Sequence, residues 1–550
     1  MAKDVFVHSQ PPVADRGAVL DEAHLGDIEG ALGTIRVGDP GSRRSIGARL
    51  LTLLAIVGPG LIVMVGDNDA GGIATYSQAG QNFGLSLLWT LPLLIPVLVV
   101  NQEMVVRLGA VTGVGHARLI NERFGKFWGA FSVGDLFLLN FLTIVTEFIG
   151  VSLALGYFGI SSYISVPVAA VGLIAMTASG SFRRWERFML LFVVANFLVV
   201  PLLVFSHPHL APIVHGMFVP GVQGGVSSTA VLLVIAIVGT TVAPWQLFFQ
   251  QSNIVDKRIT PRYIGYERAD TVIGSLITVF AATLIVATAA FAFRGTALAG
   301  RFHNAGSVAR GLEHFLGNGA GTLYAVILLN ASIIGAAAVT LATSYAFGDV
   351  FGMKHSLHRG FADAKQFYAS FSALVCVAAA VVLVPHAPLG LITTSVQALA
   401  GVLLPSATVF LLLLCNDKAV LGPWVNSLWL NVVAGLIVAV LVALSLVLMA
   451  TTVFPSIAVS VLVDGLGAVL GACVAVAAIV VVRTRRAAPA PDPDEPAQPR
   501  DTWRMPSLAL LERPRWSRGR RWSMVTLRIY LVLAVVLLLV KAVQLGTGHH

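Results

Sequence analysis

Residues 58–80 read GPGLIVMVGDNDAGGIATYSQAG, and midway along this otherwise apolar stretch stand Asp67, Asn68, Asp69, Gly71 and Gly72. Its length suits a membrane span, which takes about 20 helical residues. Glycine tolerates non-helical dihedrals, so the polar centre marks a place where the helix unwinds and frees backbone carbonyls. A second such place lies in residues 235–252, IAIVGTTVAPWQLFFQQS, where Gly239, Thr240 and Thr241 precede Pro244. Proline removes a backbone donor and clashes with the preceding turn. These are the first and sixth apolar runs of the chain. Interrupted spans at corresponding positions of two halves point to a transporter of two inverted five-helix repeats, with its site near the midplane.

The rest of the chain agrees with a membrane bundle. Of 550 residues, 56% are hydrophobic and 11% charged, with a mean hydropathy of +0.83, whereas soluble domains carry roughly a quarter charged residues. Open sheets cannot satisfy their backbone in lipid, so the fold class is an all-α polytopic membrane protein. Spans are expected at 50–83, 85–110, 130–157, 162–180, 187–206, 228–252, 269–292, 320–348, 366–385, 389–415, 424–453 and 456–482, with a further candidate at 526–545. The predicted organisation is an N-terminal segment 1–48, a core 49–417 with repeats 49–207 and 228–417, two additional spans within 418–484, a linker 485–522 and a C-terminal apolar helix 523–550. The linker holds APAPDPDEPAQP flanked by RTRR and RPRWSRGRR, which reads as an extended tether near an anionic leaflet.

Charge sets the orientation. Arg118, Arg123 and Lys126, then Arg183, Arg184 and Arg187, then Lys257, Arg258 and Arg262, then Lys354, Arg359 and Lys365 fall in alternate connections. The positive-inside rule then puts the N-terminus in the cytoplasm and the protein in the inner (plasma) membrane. The net charge of +9 is accordingly a topology signal, and a nucleic-acid partner is not expected. Cys376, Cys415 and Cys473 show no metal-ligand spacing and no disulfide framework. The first 45 residues lack the features of a signal peptide.

Asp67, Asp69 and Glu147 fall inside apolar spans. Each charge at a helix centre costs roughly 2.5–3.5 kcal/mol on insertion scales, and no Lys or Arg lies at similar depth in the nearby spans, so an ion or protons must compensate them. Asp69, at the glycine-rich break, is the principal candidate ligand.

These motifs resemble those of the Nramp metal transporters. The run GPG, eight residues, then DAGG and AT..QAG is similar to that family's first-helix signature, RLGAVTG at 107–113 to the end of its second span, and VGTTVAP at 238–244 to its sixth-helix motif. The resemblance covers about residues 50–415 and implies a LeuT-like fold with alternating access. It also implies a metal site of Asp69, the Thr240 carbonyl, and the positions of Gly72 and Ala243, where typical members carry Asn and Met. Asp67 is added from its place in the same break. A thioether suits softer transition metals, whereas carboxylate, carbonyl and water suit magnesium, calcium and manganese. Mg2+ keeps several waters, so a harder, wider site suits it, as in the Nramp-related magnesium transporter branch. Trp245 stands where proton-coupled members have His, and Ile144 where they have Asp, which leaves a proton route poorly supplied. Uptake of Mg2+, with Mn2+ tolerated, driven by the membrane potential without proton coupling, is therefore expected. The rivals are a proton-coupled Mn2+ or Fe2+ importer and an organic-solute transporter of the same fold.

Glu147, Gln397, Asn68 and Trp245 are expected along the pathway or behind the ligands. Gln102 and Glu103 read as a solvated helix end, and His207, His209 and His215 as an exposed loop. No HExxH or GxSxG motif occurs, and no enzyme activity or bound cofactor is expected.

Overall fold

Ser45 accepts a hydrogen bond from the Ala48 N–H and starts α1 (Ile46–Ile56), which turns by 56° into α2 (Pro59–Val65). Pro59 at the head of α2 and Gly58, whose φ of +155° favours glycine, impose that bend. Residues 66–69 then interrupt the helix before α3 (Ala70–Phe83). The single run expected over 50–83 is thus divided twice, and the first division falls at the Gly-Pro pair. The structure, a computed structural model, describes residues 18–19, 21–39, 45–385, 389–453, 459–487, 499–511, 522 and 524–533.

The remaining elements follow in chain order: α4 (Thr90–Thr112), α5 (His116–Phe124), α6 (Lys126–Tyr157), α7 (Ser162–Thr177), α8 (Phe182–Ala195), α9 (Val199–Phe205), α10 (Leu210–Phe218), α11 (Ser228–Thr241) and α12 (Pro244–Asp256). Then come α13 (Ile264–Phe293), α14 (Ala305–Leu316), α15 (Asn318–Phe351), α16 (Lys365–Val382), α17 (Leu389–Cys415), α18 (Lys418–Leu421), α19 (Leu428–Val453) and α20 (Val459–Ala487). Ahead of α1, strands β1 (Ile28–Gly30) and β2 (Gly33–Ile35) form an antiparallel hairpin. Among the described residues, nine helices are long and apolar enough to cross a membrane, or ten if the bent pair α1–α2 counts as one.

The packing is that of a protein in lipid. Val168, Val171, Leu191, Val194 and Val204 are each more than 60% exposed on the outer surface, while Asp67, Asp69, Glu147 and Thr240 are at most 2% exposed inside. Interior helices approach closely where side chains are absent: a Cβ on Gly239 of α11 would stand 2.2 Å from the Gln397 carbonyl of α17. Helix α13 runs beside α2 and α3, and a Cβ on Gly80 would stand 2.2 Å from the Val286 carbonyl.

One expectation changes at the face that carries the basic loops. Lys257 is not a solvated topology signal: it is fully buried and pairs with Glu186 at 2.6 Å. The hairpin covers this face, with Arg183 donating to the Gly30 carbonyl and Arg187 to the Ala31 carbonyl. Of the C-terminal apolar run, Met524–Leu533 is helical and the Tyr530 hydroxyl donates to the Val402 carbonyl of α17; the rest lies outside the described residues.

Candidate functional site

The first break is organised by Asp69, which caps α3: its side chain accepts the Gly72 N–H at 2.6 Å. A carboxylate at a helix N-terminus satisfies a free N–H and meets the positive end of the helix dipole. Glu147 of α6 reaches the same turn, accepting the Ala70 N–H at 3.1 Å, and its carboxyl lies against the Asp69 side chain. Two carboxyls in contact require a proton or a cation to hold them together.

What permits the contact is Gly335 of α15. A Cβ there would stand 2.6 Å from Glu147 Oε2 and 2.8 Å from the Asp69 Cβ. Sequence reasoning missed this residue; its only trace is the run of small residues SIIGAAA at 332–338.

Asp67 lies close enough to Asp69 for their charges to interact, and neither of its buried side-chain oxygens has a hydrogen-bond donor among the described residues. The Thr240 hydroxyl is also buried and unpaired. A Cβ on Gly72 would stand 2.7 Å from the Asp67 carbonyl oxygen and 3.2 Å from Thr240 Oγ1, so the two breaks face each other across Gly72. Thr240 therefore brings its hydroxyl to this place. Tyr76 of α3 and Thr241 of α11 join hydroxyls at 2.7 Å and lock the breaks together.

Ala243 begins α12 and is buried, offering only a methyl group. A Cβ on Gly66 would meet Trp245 Cη2 at 3.3 Å, so the indole covers the start of the first break; it packs edge-on against Phe249 with centroids 5.9 Å apart. Ile144 is buried and apolar. Gln397 lies on Gly71, where a Cβ would stand 1.7 Å from its Nε2, and that Nε2 has no acceptor. The Asn68 amide nitrogen donates to the Thr278 carbonyl of α13 at 3.2 Å, and its Oδ1 is buried without a donor among the described residues.

Gln102 is no solvated helix end. It is fully buried and bonds to Gln246 at 3.4 Å, which reaches the Thr241 carbonyl at 3.4 Å, because α12 packs along this part of α4. Glu103 pairs with Arg107 at 2.9 Å and Arg268 at 2.5 Å. His207, His209 and His215 are exposed. Among the described residues, no group of three or more His, Cys, Asp or Glu side chains is arranged to hold a metal ion. The central arrangement is instead two acids of one break, a third acid behind them, and a hydroxyl from the other break.

Residues 60–451 match the family model for natural resistance-associated macrophage protein-like (Nramp) proteins. The divalent metal cation transporter MntH of Aeromonas hydrophila subsp. hydrophila is 28% identical over 414 residues, 71% of this chain and 94% of that protein. The protein of the same name from Xylella fastidiosa (strain Temecula1) is 29% identical over 464 residues, 80% of this chain and 92% of that protein. Among solved structures, the Eremococcus coleocola manganese transporter in complex with an aromatic bis-isothiourea substituted compound superposes with a TM-score of 0.60 at 19% identity. That match covers 80% of this chain and 97% of the other. With two broken helices facing each other in the middle of the bundle and the family model spanning most of the chain, the protein belongs to the Nramp family of membrane transporters and has its LeuT-like fold.

Proposed function

We propose that this protein imports divalent cations, Mg2+ foremost with Mn2+ tolerated, as a secondary transporter or facilitator working by alternating access without proton coupling. The observation that carries the reading is the Asp67 carboxylate beside Asp69 and the Thr240 hydroxyl, both buried and without a partner among the described residues, on two breaks that meet at Gly72. Oxygen atoms in such a place favour a cation that supplies the missing charge. With few protein ligands and no sulfur at Ala243, a hard ion that retains part of its water shell is the best match. The relatives' names, divalent metal cation transporter and manganese transporter, support the ion class. Trp245 and Ile144 support uncoupled transport, and a potential of 100 mV supplies about 4.6 kcal/mol for a divalent ion.

In this reading the repeats are residues 49–207 and 228–417, and the basic loops face the cytoplasm from the inner membrane. Proton-coupled Mn2+ transport is the second reading, favoured by the close approach of the Glu147 carboxyl to Asp69, a place that suits a proton. Uptake of Mg2+, Mn2+ and Cd2+ into proteoliposomes, with internal pH recorded under an imposed potential, separates the two. The proposal expects Mg2+ flux that follows the potential with no change in internal pH. Stoichiometric acidification, or Cd2+ uptake with no Mg2+ uptake, overturns it.

A further inference from the structure

A second group of buried acids lies where α2, α8, α12 and α13 meet at the face of the basic loops. Glu186, Glu267 and Asp270 are at most 1% exposed, and the buried cation among them is Lys257. Lys257 is fully engaged: besides Glu186 at 2.6 Å it donates to the Ile56 carbonyl at 2.7 Å and the Val57 carbonyl at 3.0 Å. The second oxygen of Glu186 accepts the Ala31 N–H of the hairpin at 2.5 Å. Asp270 spends only Oδ2, which accepts the N–H groups of Gly58, Gly60 and Leu61 at 3.1, 2.8 and 3.2 Å and so caps α2.

What remains is a set of buried oxygens short of partners among the described residues. Asp270 Oδ1 and both oxygens of Glu267 are buried without a well-aligned donor. Glu267 and Asp270 are three residues apart on α13, the spacing that puts two side chains on one helix face. From a different helix, Gln250 of α12 adjoins Glu267 and donates through Nε2 to Thr271 Oγ1 at 2.9 Å. Its Oε1 is fully buried and unpaired. When all three are ionised, these carboxylates carry two more negative charges than the Lys257 ammonium balances, at a face that the hairpin covers.

We infer that Glu267, Asp270 and Gln250 form a second divalent-cation site, between the central breaks and the face of the basic loops. Two carboxylates, an amide oxygen and retained waters are the donor set that suits Mg2+ or Mn2+. One ion would cancel the two excess charges. Because Asp270 holds the N-terminus of α2 with one oxygen and the ion with the other, occupancy bears directly on the short helix that leads into the first break. The inference rests on divalent transport for its role but not for its existence, since the site is separate from Asp69.

The test is the number of Mn2+ ions bound per full-length chain in detergent, counted by electron paramagnetic resonance, with Mg2+ as competitor. The parent is expected to bind two, Asp69→Ala one and Glu267→Gln one, and the double variant none. If the parent binds one ion that survives Asp69→Ala and is lost in Glu267→Gln, this site stands and the central reading falls. If Asp69→Ala removes all bound Mn2+ and Glu267→Gln changes nothing, the inner acids are protonated and the inference is overturned. Gln250→Ala, which alters no charge, guards against a folding defect in Glu267→Gln: it is expected to weaken the Mn2+ left in Asp69→Ala by about tenfold or more, and an unchanged affinity counts against the site.

Discussion

Replacing Gly335 by alanine tests whether the pocket around Asp69 is as tight as the structure implies. The new Cβ would stand 2.8 Å from the Asp69 Cβ, where ordinary contact begins at 3.4 Å, so the two helices must part by about 0.6 Å or one side chain must yield. Glu147, met at 2.6 Å, can swing its carboxyl tip away. Asp69 has no such freedom, because its Cβ is fixed by the backbone of the break and its carboxyl by the 2.6 Å bond from Gly72. Overpacking of this kind costs about 1–3 kcal/mol. Where that cost falls on the ion-bound arrangement, each 1.4 kcal/mol is about tenfold in affinity, so the apparent KM for Mg2+ should rise by roughly 5- to 140-fold. The assay is Mg2+ uptake into proteoliposomes with purified, monodisperse protein. Gly435→Ala is the control, since a Cβ there meets nothing within 4 Å. A KM for Gly335→Ala within twofold of the parent would refute the reasoning, because it would mean that Asp69 has slack and Glu147 does not define its position.

Three further outcomes are expected. Asp69→Asn keeps a side-chain oxygen that can cap α3, whereas Asp69→Ala forfeits the cap and about 0.5–2 kcal/mol with it. Both should abolish Mg2+ flux, but only Asp69→Ala should lower the thermal midpoint; flux retained in Asp69→Asn would show that the charge is dispensable. Ala243→Met places a thioether at the head of α12 and should raise Cd2+ affinity relative to Mg2+ by isothermal calorimetry; an unchanged ratio would place position 243 away from the ion. Burial alone would lower the His355 imidazole, but the hydrogen bond and charge of Asp349, 3.1 Å away, hold it up at about 8. Being above the ordinary value of about 6.5, this contributes about 2 kcal/mol that is fully present below pH 6.5 and lost as pH rises through 8. The thermal midpoint should therefore fall between pH 6.5 and 9 in the parent and stay flat over that window in Asp349→Asn.

The elements legible in the sequence are those announced by local chemistry. Gly-rich and Pro-containing interruptions of apolar runs change backbone preference at the residue itself, and so Asp69, Gly72, Thr240 and Pro244 can be placed from the residues alone. Gly335 cannot, because its importance lies in which side chains of α3 and α6 arrive opposite it, and a glycine among alanines in a membrane helix carries no such label. The same holds for Lys257. Its position in a basic loop reads as a topology signal by composition, and only the packing of α8 and the hairpin shows that it is buried on Glu186. Gln102 is misjudged for a related reason: the sequence shows a helix approaching a charged end but not that α12 covers it. The bend at Gly58–Pro59 is different, since the Gly-Pro pair is plain in the sequence and a change of direction there follows from its backbone chemistry.

The structure also bears on why this chain departs from its relatives at Gly72. An added Cβ would stand 2.7 Å from the Asp67 carbonyl oxygen, a backbone atom that cannot rotate away. The asparagine typical of the family at this position is therefore not a side chain that this site has merely lost; the break has closed around its absence. Restoring it requires residues 67–72 to open, and the N–H of Gly72 is itself the donor that holds Asp69. Ala243 already carries a Cβ, so methionine there adds atoms beyond it without asking the backbone to admit a new Cβ. The two departures are thus unequal. The proposed preference for hard ions, where it depends on Gly72, would rest on the course of the chain through the first break, whereas a contribution from position 243 would rest on a side chain alone. A chain with methionine restored should shift towards softer ions by degrees while Asp67 and Asp69 keep their geometry. Asparagine restored at position 72 should instead disturb the Asp69 cap and lower binding of every divalent ion together.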